Sequence, residues 1–360
     1  MWWKPETFEK KRPYLEARGA LIRSVRDFFD QNGFYEVETP ILQVSPVMDT
    51  HIHALKTDLR GVDLAYEKTL WLHTSPEFAM KKLLVAGLPK IYQICHVFRD
   101  AEGSRRHSRE FTMIEWYRAH DTYETIMTDC IGLLRHCAAA LGIRAYRHQD
   151  AICDPFAEWE IITVAQAFKK YAGLDIEVFL PQPPASRVPP SPDGRGCRSE
   201  AEAGEGKFAQ AVRSLGLHTA PDDRWDDLFF RVMGEKIEPH LGMDRPTVIK
   251  DYPAAMASLS RRKPDDPRFA ERFEMYVCGV ELCNAFGELT DAAEQRKRFI
   301  EEMEAKQKLY GESYPIDEDF LAALEHGLPE SGGNALGLDR LAMLATGADD
   351  IEQVLWAGKV

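Results

Sequence analysis

The stretch that most constrains this chain runs from Ile91 to Tyr117, IYQICHVFRDAEGSRRHSREFTMIEWY, two apolar runs around a charged middle. Phe111, Met113, Glu115 and Tyr117 recur at every second residue of the second run, and Tyr92, Ile94, His96 and Phe98 do so in the first. Successive side chains of a strand point to opposite faces, so each set lines one face, and together the runs predict an antiparallel hairpin. Glu115 sits between Ile114 and Trp116 on a strand otherwise fit for burial, where a carboxylate needs a partner. Between the runs Arg99, Arg105, Arg106, His107 and Arg109 crowd together with Asp100, Glu102 and Glu110. The planar donor fork of arginine suits phosphate oxygens. A solvated turn between two ordinary strands has the same composition, and composition does not separate the two readings.

The rest of the chain reads as alternating helices and strands. Leu15, Leu21, Ile22, Val25, Phe28 and Phe29 repeat at helical spacing between Tyr14 and Asn32, with Gly33 as a stop signal, and FYEVETPIL follows as a strand ended by Pro40. A helix opens near Ser75 or Pro76, with Glu77 in its first turn, where free backbone N–H groups favour an anion. His120–Leu141 predicts a long amphipathic helix, Ile152–Pro155 a short strand, and Trp159–Tyr171 a helix opened by Thr163. From Leu180 to Gly206 the text is Pro, Gly, Ser and charge with little to bury, which reads as a mobile insertion within one domain. Helical text resumes at Phe208, and TVIKDYP is a strand closed by Pro253.

Two further segments carry chemistry. In RFEMYVCGVELCNAFGELTD, Glu274, Tyr276, Cys278 and Val280 are expected on one strand face, with Phe273, Met275 and Val277 on the other. Glu281, Asn284 and Glu288 follow across kinks expected at Gly279 and Gly287. Carboxylates at this density suit a hard divalent cation or a cationic substrate, and equally a solvated acidic edge. GGNALGLDRLAMLATG is a glycine-rich strand running into a helix, whose small residues allow a ligand to approach the backbone.

Bulk properties bound the class. With 360 residues, 44% hydrophobic and 29% charged, the chain has material for one large domain or two medium ones. No run reaches about 18 apolar residues, and MWWKPETFEKKRPY lacks the apolar core of a secretory signal, so a cytoplasmic protein without a membrane partner is expected. Seven cysteines without a CxxC pair point to free thiols and away from structural zinc. A net charge of −13 gives no reason to expect broad nucleic-acid binding.

FRDAE, His107 and EFTMIEWY resemble motif 2 of the class II aminoacyl-tRNA synthetases, above all their lysine branch. The helix, Gly33, strand and Pro40 resemble motif 1, the dimer-forming element, and GGNALGLDR resembles motif 3, in the right order. The resemblance implies an α+β fold: a single class II catalytic domain over 1–360, a mainly antiparallel sheet flanked by helices, acting as a homodimer with ATP and Mg²⁺. It implies Arg99 on the α-phosphate, His107 and Arg340 on the outer phosphates, Phe111 against adenine, and Glu274 and Glu281 on the metal with Asn284 in support. Glu77, Glu115 and Glu288 would face the amino acid, in a pocket shaped by Tyr117 and Phe286 and reached by Asn284. The chain departs from the pattern at Ala101, where the family has a glutamate that helps hold adenine; Glu102 takes that role or one contact is lost.

The acceptor is read from what surrounds the motifs. The residues before Tyr14 leave no room for the anticodon-binding barrel of lysyl-tRNA synthetases, so no anticodon binding is expected. TSPEFAMKKLLVAG, WYRAHDTYE and ELCNAFGELTDAAEQ resemble the β-lysine ligase paralogues, which join (R)-β-lysine to a lysine of elongation factor P. Ala335 is part of that resemblance, since the β-lysine ligases have alanine where lysyl-tRNA synthetases have glycine. The alternative is a free-standing enzyme activating α-lysine for tRNA or a small acceptor. A regulator that had lost catalysis would be expected to lack some of Arg99, Glu281 and Arg340, and all are present.

Overall fold

A computed structural model describes residues 1–181 and 198–358, with side chains described outside 198–205. Its centre is an eight-stranded sheet built from β1 (Tyr35–Glu36), β2 (Lys90–Phe98), β3 (Glu110–Ala119), β4 (Glu160–Thr163), β5 (Thr247–Pro253), β6 (Phe269–Val277), β7 (Val280–Gly287) and β8 (Ser331–Gly337). The spatial order is β1-β2-β3-β8-β7-β6-β5-β4. Only the β1–β2 and β4–β5 pairs are parallel.

Two hairpins, β2–β3 and β6–β7, are each joined by neighbouring strands in sequence, and β8 is inserted between them. The expected first hairpin forms with Ile91 opposite Tyr117 and Val97 opposite Phe111. The insertion of β8 sets Ala335 opposite Glu115 on one side and opposite Asn284 on the other. Three segments far apart in sequence therefore meet side by side at the middle of the sheet.

Helices cover the sheet. α1 (Pro5–Gln31) buries Leu15, Leu21, Val25 and Phe29, the stripe its periodicity indicates, and the Phe29 ring stacks on Tyr92 at 4.9 Å. It begins before Tyr14, because Pro5 at the first helical turn is pre-set for helix although the residues after it carry no apolar stripe. α2 (Glu77–Val85) and α3 (Tyr123–Ala140) match their expected segments, and α4 (Leu338–Thr346) continues from β8.

Several expectations are corrected. FYEVETPIL contributes only β1 and a second piece, Leu42–Gln43, which joins a small sheet with Lys56–Arg60 and Tyr66–Leu72. The Trp159–Tyr171 segment starts as the edge strand β4 rather than as helix, while the helix does open behind Thr163, at Val164, with a capping box. Of the expected 180–206 insertion, 182–197 lie outside the described residues, while Arg198–Ser214 is a helix that buries Phe208 and Val212 beside Trp225 and Phe229. Cys278 and Val280 do not continue the face of Glu274. The chain reverses at Cys278 and Gly279, with φ of 53° and 69°, so Glu274 and Glu281 sit on adjacent antiparallel strands. Such positive φ values are those of the tight hairpin turn, where glycine carries no Cβ penalty. Gly287 is not a kink but a paired residue opposite Gly332. The six described cysteines are free thiols, and among the described residues no helix is long and apolar enough to cross a membrane.

Candidate active site

Arg99 leaves the end of β2, and its Nε donates to the Thr74 carbonyl at 3.3 Å. Its guanidinium lies 5.3 Å from the centre of the Phe111 ring and 3.7 Å from the Glu102 carboxylate. Arg340, in the first turn of α4, donates to the Glu281 carbonyl at 2.9 Å and to His107 Nε2 at 2.5 Å. His107 Nδ1 is then left to donate to Ser104 Oγ, 2.7 Å away. Arg99, Glu102, His107, Phe111, Glu281 and Arg340 line one pocket of about 140 Å³ together with Asn284 and Ala335. Motifs from three parts of the chain thus meet around one cationic and aromatic cavity.

The first turn of α4 is held by a residue the sequence reading did not single out. Asp339 is buried, accepts from the Thr112 backbone N–H at 2.8 Å, and pairs with Arg18 of α1, which also donates to Thr112 Oγ1. The contact spans 321 positions of sequence, and no local pattern announces it. Ala101 stands in the left-handed region at φ 59°, a strained position for alanine, and its N–H bonds to Asp100 Oδ1.

Glu274 does not line that pocket. It accepts from Arg272 at 2.7 Å and from the Tyr276 hydroxyl at 3.0 Å, on the strand next to Glu281. Glu281 keeps 42% of its side chain exposed toward the cavity, 3.8 Å from Arg340. Asn284 Oδ1 is buried without a hydrogen-bond partner among the described residues. Among those residues no three His, Cys, Asp or Glu are disposed to hold a metal by themselves. Glu281 and the free Asn284 oxygen are hard oxygen donors of the kind Mg²⁺ accepts, while Glu274 on the adjacent strand is turned to Arg272 and Tyr276.

Beyond Ala335 the character inverts. Glu77, Glu115 and Glu288 are all buried, from α2, β3 and the end of β7. Glu115 accepts from Ser75 Oγ at 2.5 Å and from the Tyr117 hydroxyl at 2.9 Å. Burial, and then the charge of Glu77, push its carboxyl up to about 7. Burial likewise lifts Glu288 to about 8, against the pull of Lys81. Lys81, wholly buried, lies 2.5 Å from both Glu77 Oε1 and Glu288 Oε2. Burial alone would lower its pKa, but Glu288 and Glu77 hold it above the ordinary lysine range. Gly333 faces this cluster, and a Cβ there would run into both the Tyr117 ring and Glu288. Phe286 lies on the other flank, half-buried under the Arg272 guanidinium at 5.9 Å.

The site residues expected from sequence thus fall into two adjoining groups, apart from Glu274, which stands behind Arg272 and Tyr276. Lys81, Ser75, Gly333 and Asp339 were missed. Only Lys81 had a local signal, its spacing of four from Glu77 on an expected helix.

A central antiparallel sheet carrying these three motifs on β1, β2–β3 and β8–α4 defines a class II synthetase catalytic domain. The model of the tRNA synthetases class II (D, K and N) family matches residues 7–359. Relatives named elongation factor P–(R)-β-lysine ligase are similar over nearly their whole length. The Avibacterium paragallinarum protein is 36% identical over 98% of this chain and 96% of its own. The Haemophilus influenzae Rd protein is also 36% identical with the same coverage, and that of Pectobacterium carotovorum is 38% identical over 95% of this chain and 93% of its own. The chain therefore belongs to the class II synthetase family, in the branch of the elongation factor P–(R)-β-lysine ligases.

Proposed function

We propose that this chain is an ATP-dependent ligase that activates (R)-β-lysine as an adenylate and transfers it to a lysine side chain of elongation factor P. The observation that carries this reading is Ala335, paired on one side with Glu115 of the acidic pocket and on the other with Asn284 of the cationic one. A substrate lying across that residue would present its carboxylate to the arginines and its ammonium groups to the glutamates.

In the first step a carboxylate oxygen attacks the α-phosphorus of ATP, the bond to the β-phosphate oxygen breaks, and pyrophosphate leaves. Arg99 would hold the α-phosphate and His107 and Arg340 the outer phosphates, oriented before the reaction so that negative charge moves onto fixed donors. Phe111 offers a face for adenine, with Glu102 taking the polar contact that Ala101 cannot make. Glu281 and Asn284 would hold Mg²⁺, which when bound neutralises phosphate charge, and Glu274 would join them only on leaving Arg272 and Tyr276. Glu77, Glu115 and Glu288 would hold the two ammonium groups, with Tyr117 and Phe286 framing the alkyl chain between them. In the second step the acceptor amine attacks the acyl carbon, an amide forms and AMP leaves, with no covalent bond to the protein.

Pyrophosphate exchange into ATP with (R)-β-lysine, α-lysine and uncharged analogues tests the first step. Exchange that depends on (R)-β-lysine is the expected result, and exchange with uncharged analogues alone would sink the reading. Incubation with purified elongation factor P should then add the mass of one lysyl group. A homodimer is part of this proposal, supported by exposed Tyr35, Ile41, Leu42 and Val44 along the motif 1 segment, and light scattering should return about twice the mass of one chain. The cytoplasm, where the acceptor works, is the compartment this reading requires.

A further inference from the structure

The chemistry above leaves unused a cation set inside the acidic pocket. Lys81 has no solvent contact, and its ammonium lies at 2.5 Å from a carboxylate oxygen of both Glu77 and Glu288. Stability alone is a poor reason for such an arrangement, since buried ion pairs are often replaced by apolar residues without loss. The third carboxylate, Glu115, is held differently, by the neutral donors Ser75 and Tyr117. So the pocket divides its anions: two are clamped on a built-in ammonium, and one faces inward on hydroxyl donors.

We propose that Lys81 is a positioning and specificity-determining residue: it aims Glu77 and Glu288 and, as a fixed counter-ion, reduces the three carboxylates, all ionised once the substrate is bound, to a net charge of two. That is the number of ammonium groups on a diamino acid. The inference rests on reading this pocket as the diamino-acid site. A trianionic pocket would be left with an unmatched buried charge when such a substrate binds, and a pocket with net charge one would accept monoamines as readily. Lys81 touches no reacting atom, so its effect falls on the selection of the amino acid.

The test is a double-mutant cycle of Lys81→Met and Glu77→Gln, followed by pyrophosphate exchange and thermal unfolding. Lys81→Met should raise the half-saturating concentration of the diamino acid by about thirtyfold or more, the scale of an unpaired buried charge, with kcat changed less than about threefold. The double variant again has a net pocket charge of two, and the amide it carries at position 77 can donate to Glu288. It should bind the diamino acid better than either single variant. Effects that simply multiply, or an unchanged half-saturation in folded Lys81→Met, would overturn the role of Lys81. If Lys81→Met does not fold, the double variant compared with Glu77→Gln decides, and a double no better than that single overturns it. Wild-type protein that activates no diamino acid would bring down the functional reading and this inference together, whereas normal wild-type activation with a multiplicative cycle brings down the inference alone.

Discussion

The two pockets on either side of Ala335 solve opposite electrostatic problems. In the cationic pocket Arg99 and Arg340 are held at close range by carbonyl oxygens, an aromatic face and a histidine, with the Glu102 and Glu281 carboxylates only at 3.7 and 3.8 Å, so much of their charge stays available to an incoming polyanion. In the acidic pocket the carboxylates are buried and two already grip a lysine. The first site offers its charge to a ligand, and the second carries one built-in cation among its three carboxylates. A buried anion cluster without its own cation would repel itself and draw in protons, whereas arginines at a half-open cavity keep water as partner until substrate arrives.

The largest effect should come from breaking the first site. Arg99→Ala removes the donor proposed to hold the α-phosphate, and pyrophosphate exchange should fall by about 10²–10³-fold. The thermal midpoint should hardly move, because Arg99 makes one carbonyl contact and a distant ion pair. A large drop in stability with little loss of exchange would reverse the contrast drawn between the pockets.

The acidic side is most sensitive to shape. Gly333→Ala inserts a methyl group where the Tyr117 ring and Glu288 already stand. The diamino acid's half-saturating concentration should rise by about 10–100-fold while that of ATP stays within about threefold, as overpacking of a fixed pocket acts locally. Equal changes for both substrates would mean that the pockets are not separable.

Much of this division was legible in sequence, and the reason is periodicity. The alternation of β2 and β3 fixed which residues share a face, and a carboxylate amid Ile114 and Trp116 signalled an unusual burial. The insertion of β8 between two hairpins is a non-local pairing that no local pattern encodes, and the register of Ala335 depends on it. Lys81 and Lys82 are adjacent and alike in sequence, yet Lys82 turns outward, to Asp317 and Asp319, while Lys81 is wholly buried. Gly279 announced a kink, but the apolar alternation through Cys278 and Val280 hid that the kink is a full reversal onto a second strand.

The pH response separates the pockets next. Glu115 and Glu288 have folded-state values pushed up to about 7 and 8. A carboxyl raised in the folded state contributes stability that is full below its unfolded value, about 4.3, and is lost as pH rises through the folded value. The empty protein's thermal midpoint should therefore fall as pH climbs from about 4.5 to about 8 and level off above that. Binding of a diamino acid requires those carboxylates charged, so its affinity should rise with pH, by up to about a hundredfold per unit below about 7, where two protons must leave, and by about tenfold per unit between about 7 and 8. Glu115→Gln should flatten part of both curves. Parallel trends in stability and affinity would contradict the assignment of these carboxyls to the amino acid.

The smallest expected change is the most discriminating, because it lies on the boundary between the pockets. Ala335 contributes a single methyl group between Glu115 and Asn284, at the junction where the α- or β-ammonium of a lysine isomer would pass from one pocket to the other. One methyl in a close-packed site changes discrimination by about 1–3 kcal/mol, or about 10–200-fold. Ala335→Gly frees that volume without altering any charge, so it should raise exchange with α-lysine relative to (R)-β-lysine by about tenfold or more, with ATP half-saturation unaffected. Because the carboxylates and Lys81 are untouched, a shift in that ratio isolates shape from charge. An unchanged ratio would mean that isomer choice is made by the orientation of the glutamates, and the boundary residue would lose its place in the selection of substrate.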